Sequence, residues 1–169
     1  MADPIVDVVT NQGSFSIQLD PAKAPKSVEN FLAYVDANHY AGTVFHRVIS
    51  TFMVQGGGYD AQYERKATQP PVQNEADNGL KNLRATVAMA RTPDPHSGTA
   101  QFFVNVTDNA FLDHTGKDPQ GWGYAVFGKV IDGMETVEKI KALKTGAVGP
   151  FAKDAPLTPV LIESVRRRP

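Results

Sequence analysis

Eight short β-like segments stand against only two stretches of helical periodicity, and that imbalance limits the fold more than any other feature of the chain. Residues 5–10 form the first segment. Phe15, Ile17 and Leu19 then alternate with Ser16 and Gln18, the period of a half-buried strand, after the turn Asn11-Gln12-Gly13. The other six segments lie at 43–49, 52–55, 86–90, 101–106, 125–131 and 159–165. A helix is predicted over 25–40, with Pro25 in its first turn and Val28, Phe31, Leu32 and Val35 on one stripe. A second is predicted over 132–144, with Asp132 as N-cap, Lys139, Lys141 and Lys144 near its end, and Gly146 as terminator. Two helices cannot supply the crossovers of an eight-stranded parallel sheet. The predicted class is therefore mainly β: a closed eight-stranded antiparallel β-barrel, which hides its edges, capped by two α-helices.

With 169 residues and no repeat or linker, the chain reads as a single domain over 1–169. The absence of Cys excludes a disulfide scaffold, a Cys-ligated metal centre and a thiol nucleophile. A net charge of −1 argues against nucleic acid as a partner, and Arg166-Arg167-Arg168 is read as a solvated, frayed terminus. No Lys or Arg precedes Lys23, and no apolar run reaches membrane-spanning length, so a cytoplasmic chain without a membrane partner is expected.

The common chemical motifs fail. There is no Gly-x-Ser-x-Gly elbow, phosphate loop or His-Glu-x-x-His, and the four His residues lack metal-like spacing, so neither metal nor cofactor is expected. Gly56-Gly57-Gly58 opens no helix and reads as a tight turn. His46 is read as a hydrogen-bonded core histidine. Asn105-Val106-Thr107 matches the glycosylation triplet, but it falls in a strand and is read as chance.

What remains is a long cation and two amides inside apolar strands. Parity puts Arg47 with Phe45 and Ile49, Met53 with Gln55, and Gln101 with Phe103. One face would then gather Arg47, Met53, Gln55, Gln101 and Phe103 as an apolar cup with a polar rim. His46, Val48, Phe102 and Val104 would fill the interior. Singly, each apolar member reads as core and Arg47 as a surface ion-pair partner. Together, a strand Arg and two Gln gain nothing from a purely structural role.

Phe45-His46-Arg47-Val48-Ile49, Phe52-Met53-Val54-Gln55-Gly56-Gly57, Gln101-Phe102-Phe103 and Val126-Phe127-Gly128-Lys129-Val130 resemble the signature segments of cyclophilins, the peptidyl-prolyl cis–trans isomerases. The resemblance runs from the first strand to the last and includes Ala24-Pro25-Lys26-Ser27-Val28-Glu29-Asn30-Phe31. Asn74-Glu75-Ala76-Asp77-Asn78-Gly79-Leu80 and Trp122-Gly123-Tyr124 look like the bacterial cytoplasmic branch. The resemblance implies an eight-stranded barrel capped by two helices, with its site on the outer face. It implies acceleration of rotation about X–Pro bonds, in peptides and in unfolded or flexible protein segments, as an aid to protein folding.

By this resemblance Arg47 is the catalytic arginine. Phe52, Met53, Phe103 and Leu112 are the proline pocket, Gln55 bonds the substrate backbone, and Gln101 is a second polar wall. Ala90, Arg91 and Thr92 meet the residues before proline, largely through backbone groups. Three positions depart from common family patterns. Arg91 stands where many members have Asn and adds positive charge to the rim. Phe111 stands where many eukaryotic members have Trp, so weak cyclosporin binding is expected. Tyr124 replaces a common His, so no imidazole chemistry is needed. A proline-peptide binding module or chaperone would use the same pocket, but it would have no need of a cation aimed at the amide. A monomer is expected.

Overall fold

The computed structural model describes residues 3–169. Its main sheet is built from β1 (Ile5–Thr10), β2 (Gly13–Leu19), β3 (Arg47–Ile49), β4 (Met53–Gly56), β5 (Thr86–Met89), β6 (Phe102–Asn105), β7 (Val126–Asp132) and β10 (Ile162–Arg167). A separate hairpin pairs β8 (Thr145–Val148) with β9 (Phe151–Pro156). The helices are α1 (Pro25–Asp36) and α2 (Met134–Lys141).

The eight strands run β10-β1-β2-β7-β5-β6-β4-β3, every neighbouring pair antiparallel. The sheet curls on itself, but the ladder does not close continuously as the sequence suggested. Its end strands β3 and β10 are not paired with each other. The chain just before each of them makes the link, as an isolated bridge between Val44 and Leu161. The Phe45 amide donates to the Val160 carbonyl at 3.0 Å and the Ile162 amide to the Thr43 carbonyl at 2.7 Å. These bonds blunt both edges without a regular ladder.

Alternation decides what lies inside. Val6 and Val8 of β1 and Phe15, Ile17 and Leu19 of β2 point into the curl and are buried. Val48, Phe102 and Val104 join them, as strand parity predicts, and Val54 packs beside them. Helix α1 adds Phe31, whose ring packs against Tyr40, Phe102 and Phe127 at centroid distances of 5.1–5.6 Å. Helix α2 adds Val137 and Ile140 to the same core. Both helices are shorter than predicted. Asn38 turns into the left-handed region with φ 58° soon after α1 ends, and the chain folds back so that the Tyr40 hydroxyl donates to the Ala100 carbonyl at 2.7 Å. The N-cap of α2 is Gly133 at φ 80°, not Asp132, because the strand β7 carries through Asp132 and only the left-handed glycine breaks it. Gly146 lies within β8 and does not terminate the helix.

Two assignments, one outward and one inward, are corrected. Phe45 is a core residue, packed on Phe15 and Phe102 at 6.4 and 6.0 Å, not a neighbour of Arg47 on the outer face. Regular pairing in this strand begins only at Arg47, so parity does not carry back across the break. Glycine at position 56 makes the room, since a Cβ there would lie 2.9 Å from the Phe45 ring. His46 is buried, but it is not hydrogen-bonded: its Nδ1 has no partner among the described residues. Its ring stacks on Phe151 of β9 at 5.1 Å, with the Tyr59 edge at 4.7 Å. The β8–β9 hairpin covers it, a hairpin that the sequence reading does not anticipate.

Burial, helped by the nearby Arg47 charge, lowers the His46 pKa to about 4. Between pH 6.5 and 4 the unfolded chain binds a proton that the folded chain refuses. Stability is therefore fully present above pH 6.5 and falls as pH drops toward 4, by roughly 3 kcal/mol in all. We expect His46→Phe, which keeps the stack on Phe151, to flatten this loss in urea titrations between pH 7 and 4.5. An unchanged slope would show that other groups carry it.

The basic terminus is also corrected. It is not frayed: Arg167 pairs with Asp36, and Arg168 reaches Asp7 at 2.8 Å while its amide bonds the Ile5 carbonyl. Hydrogen bonds from Arg168 and Ser16 hold the Asp7 carboxyl below its ordinary range. The terminus extends β10, and Arg167 and Arg168 are engaged within the fold. Among the described residues, no helix is long and apolar enough to cross a membrane.

Candidate active site

Strand register assembles the site. Arg47 of β3 lies opposite Gln55 of β4, Gln55 opposite Phe103 of β6, Phe103 opposite Ala88 of β5, and Ala88 opposite Val126 of β7. Directly opposed residues share a face. One row therefore crosses five strands, with the cation at one end, the Gln55 amide next to it and apolar side chains across the other three. Met53, two residues before Gln55, falls on the same face. Met53, Ala88, Ala90, Phe103, Leu112 and Val126 form a second buried cluster on the outside of the sheet, flanked by Ile49, Phe52, Leu80 and Tyr124. Phe102 and Phe103, adjacent in sequence, thus belong to different cores.

A cavity of about 250 Å³ opens over this outer cluster. Arg47, Phe52, Met53, Gln55, Ala90, Arg91, Phe103, Phe111, Leu112 and Tyr124 line it. The remaining two predicted site residues, Thr92 and Gln101, line an adjoining cavity of about 200 Å³ that shares Gln55, Ala90 and Arg91 with the first. Size alone does not single out the place, because a hollow of about 240 Å³ lies elsewhere between Asp20, Leu83 and Lys129. The convergence of a cation, two amides and an apolar floor does.

The polar rim is ordered. Arg47 Nη1 donates to Gln55 Oε1 at 3.4 Å, and Gln55 Nε2 donates to Gln101 Oε1 at 2.9 Å. This relay fixes which way each amide points and leaves the Gln101 amide nitrogen free to donate. Gln101 lies against Gly58, where a Cβ would overlap its side chain. The Arg47 guanidinium also sits 5.9 Å from the Phe52 ring. Arg47 is exposed and has no ion-pair partner among the described residues.

The three departures noted in the sequence have distinct places. Phe111 is 75% exposed at the rim, its ring 5.4 Å from Phe52. Tyr124 stands edge-on to Phe103 at 5.7 Å and forms a wall. Arg91 lies over the Tyr124 ring at 4.4 Å, and its Nε and Nη1 donate to the carbonyls of Gly123 and Thr92. Its charge is thus pinned at the rim and not freely mobile.

Sequence reasoning missed the group that holds the loops around the floor. Asn105, fully buried in β6, donates to Asn82 Oδ1 at 3.1 Å and to Thr86 at 2.9 Å, and it accepts from Asn109 at 2.8 Å. Asn109 also donates to the Phe52 carbonyl, and Asn82 to the carbonyls of Leu112 and Tyr124. Three pocket residues are therefore anchored through their backbones by one buried amide network. The signal was an Asn inside the apolar strand Phe102-Phe103-Val104-Asn105. Its burial agrees with reading the glycosylation triplet as chance. Tyr59 and Arg65, which line the adjoining cavity, were also not anticipated.

An exposed cation, hydrogen-bonded amides and a buried apolar floor offer no nucleophile and no general acid–base pair. They suit a reaction in which charge shifts without covalent chemistry. Residues 5–167 match the family model described as cyclophilin type peptidyl-prolyl cis-trans isomerase. The chain is 58% identical over 161 residues to peptidyl-prolyl cis-trans isomerase cyp18 of Streptomyces antibioticus, covering 95% of this chain and 96% of that protein. It is 54% identical over 156 residues to peptidyl-prolyl cis-trans isomerase B of Escherichia coli, covering 92% and 94%. Among solved structures, a Cryptosporidium parvum cyclophilin type isomerase in the presence of the dipeptide Ala-Pro superposes with TM-score 0.78 at 25% identity, covering 98% of this chain and 99% of that one. On the family match, the level of identity and the shared fold, the chain belongs to the cyclophilin-type peptidyl-prolyl cis–trans isomerases.

Proposed function

We propose that this isomerase turns over X–Pro bonds in the cavity above Phe103, with Arg47 as the catalytic residue. The observation that carries the mechanism is the register row: it sets the cation at the rim of an apolar floor in a cavity of about 250 Å³. Amide conjugation sets a barrier of about 18–20 kcal/mol. Rotation breaks that conjugation, and the prolyl nitrogen becomes pyramidal and regains a lone pair. Arg47, always protonated and planar, donates a hydrogen bond as that charge develops. Phe52, Met53, Phe103 and Leu112 hold the ring in place while the preceding carbonyl swings, and Gln55 bonds the peptide backbone.

The magnitudes are adequate. Uncatalysed isomerisation takes tens to hundreds of seconds. Reaching milliseconds requires roughly 10⁴–10⁵-fold, or about 5.5–7 kcal/mol. Once the bound peptide excludes water from it, one preorganised donor supplies about 2.7–4 kcal/mol. The Gln55 contact and restriction of the bound peptide supply the remainder. The substrates are proline-containing peptides and flexible protein segments, in line with the Ala-Pro dipeptide of the Cryptosporidium structure. With Phe111 at the rim, cyclosporin binds weakly, and the unit acts as a monomer.

Two-dimensional exchange spectroscopy on an Ala-Pro-containing peptide tests this reading. Cross-peaks between cis and trans proline resonances should appear at catalytic amounts of protein. Line broadening from binding, with no accelerated exchange, would make the chain a proline-peptide binder instead.

A further inference from the structure

The second cavity carries a charge pattern that the isomerisation step does not use. It adjoins the proline pocket through Gln55, Ala90 and Arg91. Two arginines line it, Arg65 and Arg91, and no carboxylate does. Neither arginine has an ion-pair partner among the described residues. Arg91 is held by its bonds to Gly123 and Thr92 and by the Tyr124 ring. Arg65 is placed by an isolated bridge to Tyr59, and the next amide, of Lys66, bonds the Gly58 carbonyl at 2.9 Å.

The acids next in sequence to its lining are engaged in their own turns or lie outside the lining. The Asp60 carboxylate accepts from the amides of Gln62 and Glu64 in its own turn, and Asp94 accepts from the His96 amide. Glu64 is exposed and does not line the cavity. The Thr92 hydroxyl is bonded to Ser97, whereas the Thr99 hydroxyl has no bond among the described residues and remains able to donate.

We infer that this cavity selects an acidic side chain, Asp or Glu, two residues before the substrate proline. The inference rests on the proline occupying the cavity above Phe103. In an extended peptide, side chains on one face recur every second residue. With the residues before the proline laid along Ala90, Arg91 and Thr92, a proline ring turned into the first cavity turns the residue two positions earlier toward the same surface, over Arg91 and Arg65. A carboxylate there completes two unpaired cations, and a Lys there meets like charge.

The test uses one peptide series with Glu, Gln, Ala or Lys two residues before proline, and kcat/KM from exchange or coupled assays. Glu should exceed its neutral isostere Gln by about three- to tenfold, as expected for one or two partly exposed ion pairs, and Lys should fall below Ala. The Glu/Gln ratio should collapse toward one in the Arg65→Gln, Arg91→Gln double variant. It should also collapse in 1 M salt, where the screening length is about 3 Å. The ratio is read within each variant, so a general loss of activity does not imitate the effect. Equal rates for Glu, Gln and Lys peptides, with the Ala peptide turned over normally, would overturn the subsite while leaving the isomerase reading intact. Failure to turn over any of the four peptides would overturn the isomerase reading itself.

Discussion

Replacing Arg47 with alanine lowers kcat for X–Pro isomerisation by about 10²–10³-fold, while the dissociation constant for a proline peptide rises by less than about tenfold. The asymmetry follows from when the interaction is made. In the planar ground state the prolyl nitrogen has no basic lone pair, so the guanidinium contributes little to binding. It meets a full acceptor only as the amide twists, and interactions confined to the transition state change kcat. The apolar floor that binds the ring is intact in this variant, because Met53, Phe103 and Leu112 pack together without Arg47. Arg47→Lys sharpens the test. It keeps the charge but loses the planar fork that also holds Gln55 Oε1, so it should recover only a small part of the rate. Equal losses in binding and turnover would remove Arg47 from the catalytic step. Exchange spectroscopy for kcat and fluorescence titration for affinity separate the two.

Phe102→Ala is expected to destabilise the fold by about 3–5 kcal/mol, the range for deleting a buried aromatic ring. In a domain of this size that lowers the melting temperature by roughly 10 °C. The ring lies almost wholly inside, with edge-on contacts to Phe31, Tyr40 and Phe45 at 5.4–6.0 Å, and none of its packing belongs to the outer cluster. The variant should therefore turn over substrate at 10 °C, where enough of it stays folded. Phe103→Ala, one residue along, removes the floor of the proline pocket and should weaken peptide binding at any temperature. Thermal unfolding and peptide titration of both variants measure this contrast. If Phe102→Ala lost affinity as severely as Phe103→Ala at 10 °C, the division into two cores would not describe the protein.

Much of the site was legible because strands have a fixed period. Arg47, Gln55 and Phe103 were assigned to one face by parity, and the register then put them directly opposite one another. Parity does not hold where regular pairing stops. Phe45 lies only two residues before Arg47, yet it faces the interior, because the chain there is held by isolated bonds to Val160 and Leu161 and not by a ladder. His46 went wrong for a related reason. Its cover, Phe151, comes from a hairpin more than a hundred residues away whose Gly-Ala-Val and Lys-Asp segments lack a clear strand pattern. The Asn82–Asn105–Asn109 network stayed hidden because its members come from separate loops and a strand, and no local pattern ties them together.

By itself the sequence determined the antiparallel, mainly β class, the two amphipathic helices and the parity that sorts Arg47, Met53, Gln55, Gln101 and Phe103, while the family resemblance of its motifs supplied the other seven residues around the site. Each of these depends on local periodicity or on a local motif. Only the tertiary structure decided that the curled sheet ends in an irregular seam, that Arg91 lies pinned on Tyr124, and that Arg65 joins it in a second, unpaired basic cavity. Those features depend on which strands and loops become neighbours. Periodicity tells a residue's face but not its partner, and the partner is set by long-range pairing and packing.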